Sequence, residues 1–290
     1  MLPEPVLLSL TGRPSEDVVE VGEEPLGGGT GAATAGLTRL TVRLCGGAAA
    51  TLVRKEFRPL TTGRHRHGAA DPRHWAYWRR EPLAYASGLL PAGPGLRAPR
   101  CHGVVDDVVY LEDAGSVPAD VRTAARQLGA WQAGAVLPDV PWLGGHQLAQ
   151  RVAVSDLDWS AVEADVRAEL LWSRRDELLT RLAELPPVLS HGDVHPANLR
   201  AAGPDVVALD WGTMGAAPVG ADLAHLALGA QAVLLDDYLA GARGAFARAD
   251  VEAGCRATLV LVGASRVHWM LTTGADVPPG YVDLLWAHRP

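Results

Sequence analysis

HGDVHPANLRAAGPDVVALDWG, residues 191–212, is the stretch on which the fold of this chain turns. Val206, Val207, Ala208 and Leu209 form an apolar run that predicts a short buried strand, with Leu199, Arg200 and Ala201 as its partner. Gly203, Pro204 and Asp205 between them are turn residues. A tight hairpin that sets Leu199 against Leu209 also sets Asn198 against Asp210. Residues opposed in this way sit about 5 Å apart. An amide oxygen and a carboxylate then meet at one point, as a hard, oxygen-seeking cation requires. Asp193 lies five residues before Asn198, in a loop whose Gly192 and Pro196 can turn it back toward the same point.

The pattern HGD-x-H-P-x-N followed by DWG resembles the catalytic and metal-binding loops of the aminoglycoside phosphotransferase-like kinases. That family includes antibiotic kinases and choline-type metabolite kinases and is a small-molecule branch of the protein-kinase fold. The resemblance runs from about residue 26 to 230. It implies an α+β, bilobal fold: an N-lobe built on a small antiparallel sheet with one helix, and a larger, mainly helical C-lobe.

The resemblance also implies roles. Asp193 would orient the acceptor hydroxyl and take its proton, and Asn198 and Asp210 would hold Mg2+. Lys55 would hold the phosphates of ATP or GTP, paired with Glu81 from a helix. Of 26 basic residues, Lys55 is the single lysine, and its retention where arginine stands everywhere else invites a chemical reason. Gly28 and Gly29, in Leu-Gly-Gly-Gly-Thr-Gly, would lie over the phosphates, although this run departs from G-x-G-x-x-G. Residues 108–113 would form the last strand and the hinge. Leu111 and Asp113 would meet the base through their backbone, and Tyr110 would line the back of the base pocket, where its bulk would let GTP compete with ATP. Asp222 resembles the family aspartate that anchors the catalytic loop. Only eleven residues separate Asp210 from Asp222, which leaves little room for a regulated activation segment or a peptide platform. The acceptor is therefore expected to be a small molecule.

Bulk properties limit the alternatives. About half of the 290 residues are apolar, enough for a sizeable core. Residues 1–113 are charge-balanced, so the net charge of −7 belongs to residues 114–290. An acidic second part repels nucleic acid and suits a cationic acceptor, such as an aminoglycoside or a basic peptide antibiotic. Asp156, Asp158, Trp159 and Glu163 are the residues expected to hold it. A metabolic amino alcohol or sugar is the alternative acceptor, and a pseudokinase-like nucleotide-binding module the non-catalytic one. No apolar run spans a bilayer and no secretory leader is visible, so a cytoplasmic monomer is expected. Cys45, Cys101 and Cys255 are too scattered for a disulfide framework and read as reduced thiols.

Lobes of residues 1–113 and 114–290, meeting at Ala114-Gly115, are the expected division. Strands are predicted over 37–44, 51–55, 102–105 and 108–111, and helices over 74–90, 118–134, 159–185, 219–249 and 251–273. Two metal readings compete with the kinase one. His191, Asp193 and His195, joined by His225 or His268, would form a two-histidine, one-carboxylate centre. His65, His67 and His74 would form another, opposed by the arginines between them.

Overall fold

The Gly46-Gly47 turn, with φ of +93° and +84°, reverses the chain between the two longest strands. The computed structural model describes residues 2–13, 17–27, 33–63 and 65–289. Its N-terminal elements are α1 (Glu4–Thr11), β1 (Val18–Pro25), β2 (Thr34–Leu44), β3 (Ala49–Phe57), α2 (Arg80–Ser87), β4 (Leu96–Arg97), β5 (Cys101–Val105) and β6 (Val108–Glu112). Five of these strands form one antiparallel sheet in the order β1-β2-β3-β6-β5.

Register sorts the side chains of this sheet. Lys55 pairs with Leu37 and Val109, and Val53 pairs with Leu111, so these residues share one face. Leu40 and Leu52, paired with each other, lie on the opposite face together with Tyr110, which pairs with Arg54. That opposite face forms its own core with Val6 and Leu7 of α1, neither α1 nor β1 having been predicted from the sequence. Tyr110 belongs to this core and points away from the cleft, so the expected role at the back of the base pocket is corrected. Period-two alternation allows no other outcome once Lys55 faces inward.

Residues 74–90 were expected to be helical, but α2 begins only at Arg80. Pro82 then sits in the first turn, where a missing N–H costs nothing. The preceding turns are held by Arg80. Its guanidinium is fully buried and donates to the carbonyls of Pro72, His74, Trp75 and Trp142 at 2.6–3.0 Å. Burial lowers the guanidinium to about 10, still charged at neutral pH.

The remaining elements are α3 (Val121–Gly134), α4 (Gln147–Val152), α5 (Val166–Ser173), α6 (Arg175–Ala183), β7 (Pro187–Ser190), β8 (Leu199–Ala202), β9 (Asp205–Ala208), β10 (Gly215–Pro218), α7 (Ala221–Ala230), α8 (Leu235–Ala242), α9 (Arg248–Thr273) and α10 (Tyr281–Ala287). The helix predicted over 159–185 is a 3-10 turn at Trp159–Ala161 followed by α5 and α6. That predicted over 219–249 breaks at Gln231, whose φ is +49°, into α7 and α8. Helix α9 carries thirteen buried residues and anchors the larger core. Helices α3 and α8 approach backbone to backbone: a Cβ on Gly129 would lie 2.1 Å from the Tyr238 carbonyl oxygen.

The predicted hairpin exists with its register shifted by one. Leu199 pairs with Ala208, and Leu209 N donates to Asn198 O at 2.8 Å. Asn198 therefore faces Leu209, not Asp210. The turn uses only Gly203 and Pro204 because Asp205 is committed to the ladder. Its carboxylate accepts from Gly95 N, beside the parallel pairing of β4 with β9.

Candidate active site

Strand β7 delivers the chain into the loop of residues 191–198, and one buried carboxylate fixes the start of that loop. Asp222, in the first turn of α7, accepts from Ser190 Oγ at 2.7 Å, His191 N at 2.8 Å and Gly192 N at 2.9 Å. Gln132 Nε2 of α3 adds a fourth donor at 3.0 Å, and Tyr238 of α8 donates its hydroxyl to Gln132 Oε1 at 2.7 Å. The expectation for Asp222 is met; Gln132 and Tyr238 carried no sequence signal beyond helical spacing. Gly192 must be glycine: its φ is +84°, and a Cβ would lie 2.5 Å from Thr213 O.

Past Gly192 the loop turns on histidines. Asp193 N donates to His191 Nδ1, so the Nε2 of that ring carries the proton donated to Leu209 O at 2.8 Å. His195 Nδ1 accepts from Ala197 N and caps the 3-10 turn Pro196–Asn198. Both rings thus help to hold the backbone of the loop. His268, a candidate distal ligand, pairs with Asp158 O. Among the described residues no group of three histidine, cysteine or acidic side chains is placed to hold a metal, which corrects both histidine-based readings.

Asn198 Nδ2 reaches back to Asp193, donating to its carbonyl oxygen at 3.1 Å and to its carboxylate at 3.3 Å. Asp210 follows β9 in a left-handed conformation, φ +64°. Its Oδ1 accepts from Lys55 Nζ at 2.9 Å, and the same ammonium donates to Glu81 Oε2 at 2.6 Å. Burial opposes the Lys55 charge, but the two carboxylates outweigh it and hold the ammonium at about 12. Burial pushes Glu81 up to about 7 against the pull of Lys55. Burial would also raise Asp210, yet the Lys55 ammonium holds its carboxyl below the usual range.

Two cavities meet at this ion cluster. One, of about 500 Å3, is bounded by Leu37, Val53 and Leu111 on the sheet side, Asp113 just past the end of β6, and Asn198 and Asp210 below. Asp113 is held there by Arg39 at 2.7 Å. The other, of about 250 Å3, contains Asp193 and an aromatic wall. Thr34, Glu81 and Asp210 border both. The structure therefore gathers Lys55, Glu81, Leu111, Asp113, Asp193, Asn198 and Asp210 around one cleft. Asp156, Asp158, Trp159 and Glu163 line neither cavity, which corrects their expected place at the acceptor. Asp158 instead caps the turn that follows it, and Trp159 packs edge-on against His268. Gly28 and Gly29 lie outside the described residues.

A family model described as APH, the phosphotransferase enzyme family, matches residues 25–253. The chain belongs to this family. No curated protein sequence matches it. Among solved structures, the GDP complex of aminoglycoside 2'-phosphotransferase-IIIa is similar at 14% identity and a TM-score of 0.56, over 98% of this chain and 96% of that one. A choline kinase from Cryptosporidium parvum is similar at 12% identity and 0.53, over 98% and 92%. An amicoumacin kinase in complex with AMP-PNP and Ca2+ is similar at 14% identity and 0.51, over 97% and 89%. At these identities the likeness shows the fold, and the α+β, protein-kinase-like class expected from the sequence is borne out. No helix among the described residues is long and apolar enough to cross a membrane.

Behind the loop of residues 191–198, His146 and His225 line a small internal cavity with Thr258. Burial lowers His146 to about 4 and His225 to about 3. Both rings are neutral when folded and protonate near 6.5 when unfolded. Their contribution to stability is therefore complete above about pH 6.5 and is lost as pH falls toward 4 and then 3. Thermal melts at stepped pH are expected to show a falling midpoint below pH 6, and His225→Leu should flatten that fall.

Proposed function

We propose that this chain is an O-phosphotransferase that moves the γ-phosphate of ATP or GTP to a hydroxyl of a small molecule. The observation that carries the proposal is the Lys55 ammonium clamped by Glu81 and Asp210 where the two cavities meet, one of them holding Asp193. Residues 1–113 would contribute the sheet wall and hinge around the nucleotide, and residues 114–290 the metal ligands and the acceptor side. With Tyr110 turned away, wall bulk offers no reason to favour GTP.

Phosphoryl transfer asks the protein mainly for alignment and charge. Lys55 lies at the phosphate end of the larger cavity, where its charge would steady the nucleotide tail. Asn198 and Asp210 offer an amide oxygen and a carboxylate, and Asp210 is nearly half exposed. One or two protein oxygens completed by phosphate oxygens suit Mg2+, so these residues fit the ion; when bound it neutralises charge between the terminal phosphates. Asp193 accepts the proton of the acceptor hydroxyl as its oxygen bonds to the γ-phosphorus. The bond from that phosphorus to the bridging oxygen breaks, and the nucleoside diphosphate leaves. Asn198 keeps the Asp193 carboxylate aimed. The amicoumacin kinase complex with AMP-PNP and Ca2+ supports a nucleotide and a divalent cation for this fold.

Titration with AMP-PNP and Mg2+, alongside γ-phosphate release, tests this reading. A charge-assisted contact is worth about 1.5–3 kcal/mol, so Lys55→Ala should weaken nucleotide binding by about 10- to 100-fold. Equal affinity in the variant would refute the assigned role. Protection of a sensitive bacterium on expression would separate an antibiotic acceptor, the reading supported by the antibiotic kinases among the structural neighbours, from a metabolic one.

A further inference from the structure

Four half-buried aromatic rings border the cavity that holds Asp193: Phe57, Trp75, Tyr77 and Trp78. Each already has a cation of the protein over it. Lys55 Nζ lies 5.3 Å from the centre of Phe57, the Arg151 guanidinium 5.3 Å from Trp75, Arg80 5.9 Å from Tyr77 and Arg79 5.5 Å from Trp78. A ring attracts a cation through its negative face, and a second cation at the same ring meets like charge. The counter-charge of the cavity is already engaged. Of its three carboxylates, Glu81 and Asp210 share the Lys55 ammonium and Asp193 accepts from Asn198 Nδ2. Each additional ammonium brought into such a pocket would lose water without gaining a partner.

A flat uncharged body has the opposite balance. It gains from leaving water and from edge or face contact with the rings. The wall is also fixed in advance: Arg80 holds the carbonyls of Pro72, His74 and Trp75, and Trp75 N donates to Gln150 Oε1 at 2.7 Å.

We infer that the acceptor is an uncharged alcohol carried on an aromatic or otherwise apolar ring system, seated against Trp75 and Trp78, and not a polycation or a quaternary ammonium alcohol. This rests on the phosphotransferase reading for the fate of the hydroxyl, and it replaces the cationic acceptor expected from the acidity of residues 114–290.

The test uses the full chain with Mg2+ and AMP-PNP, titrated calorimetrically with 2-(1-naphthyl)ethanol, choline and kanamycin as probes. The naphthyl alcohol is expected to bind in the millimolar range or tighter, and the two cations at least about 10-fold more weakly. Trp75→Ala and Trp78→Ala should each weaken the naphthyl alcohol by about 10-fold while AMP-PNP affinity stays constant. Trp75→Phe and Trp78→Phe, which keep an aromatic wall, should retain most of the affinity and stand in should an alanine variant not fold. Tighter binding of choline or kanamycin, no naphthyl binding at millimolar concentration, or binding indifferent to both tryptophans would each overturn the inference. AMP-PNP affinity in the same samples reads the nucleotide site separately: its loss would count against the kinase reading and leave the alcohol titration to judge the pocket.

Discussion

Asp193→Asn is expected to lower phosphoryl transfer by about 10²- to 10⁴-fold, the range a positioned general base supplies. The substitution keeps the shape of the side chain and an oxygen for the Asn198 amide to reach, so the loop should hold. It removes the group proposed to take the acceptor proton. Asp193 is absent from the border of the larger cavity, where Lys55 and Asp210 stand, so nucleotide affinity should change little. Single-turnover transfer measured beside an AMP-PNP titration separates the two effects. Turnover unchanged within twofold would remove Asp193 from the chemistry, and lost nucleotide affinity would show that it acts through the loop.

The grouping of Asp193, Asn198, Asp210 and Lys55 was legible in the sequence through the family resemblance that HGD-x-H-P-x-N and DWG carry, with the single lysine beside it. What was not legible depended on partners distant in the chain. The hairpin slipped by one residue because Asp205 answers to Gly95, and no local pattern announces a partner 110 positions away. The face of Tyr110 was misread because α1, which covers that face, was not predicted, so the strand carried no sign of which side was core. Trp75 and Trp78 stand three apart, a spacing that mimics a helix; tertiary capture by Arg80 turns this segment into a wall. Gln231 broke a predicted helix without the glycine that normally marks a left-handed cap. The acidity of residues 114–290 was real, but much of it is spent on arginines and helix caps, as with Asp165 on Arg167 and Asp120 on Thr123 N.

Asp222→Ala is expected to cost about 3–5 kcal/mol of stability and to abolish transfer in whatever fraction remains folded. Four donors converge on this carboxylate from β7, the loop that follows it and α3, all of them buried. Alanine leaves Ser190 Oγ and His191 N with nothing to donate to and takes from Gly192 N and the Gln132 amide one of their two acceptors, the others being Ser190 Oγ and Leu189 O, and each buried orphan carries its own penalty. Trimming the outer end of the same chain should be far milder. Tyr238→Phe removes only the hydroxyl that donates to Gln132 Oε1, a net loss of about 1 kcal/mol. Urea unfolding of both variants, with transfer assayed where each is folded, discriminates anchoring from filling. If Asp222 only filled space, Asp222→Leu would restore stability and turnover alike. If it anchors the loop, Asp222→Leu stays inactive, and Asp222→Asn recovers part of the stability through its one remaining acceptor oxygen.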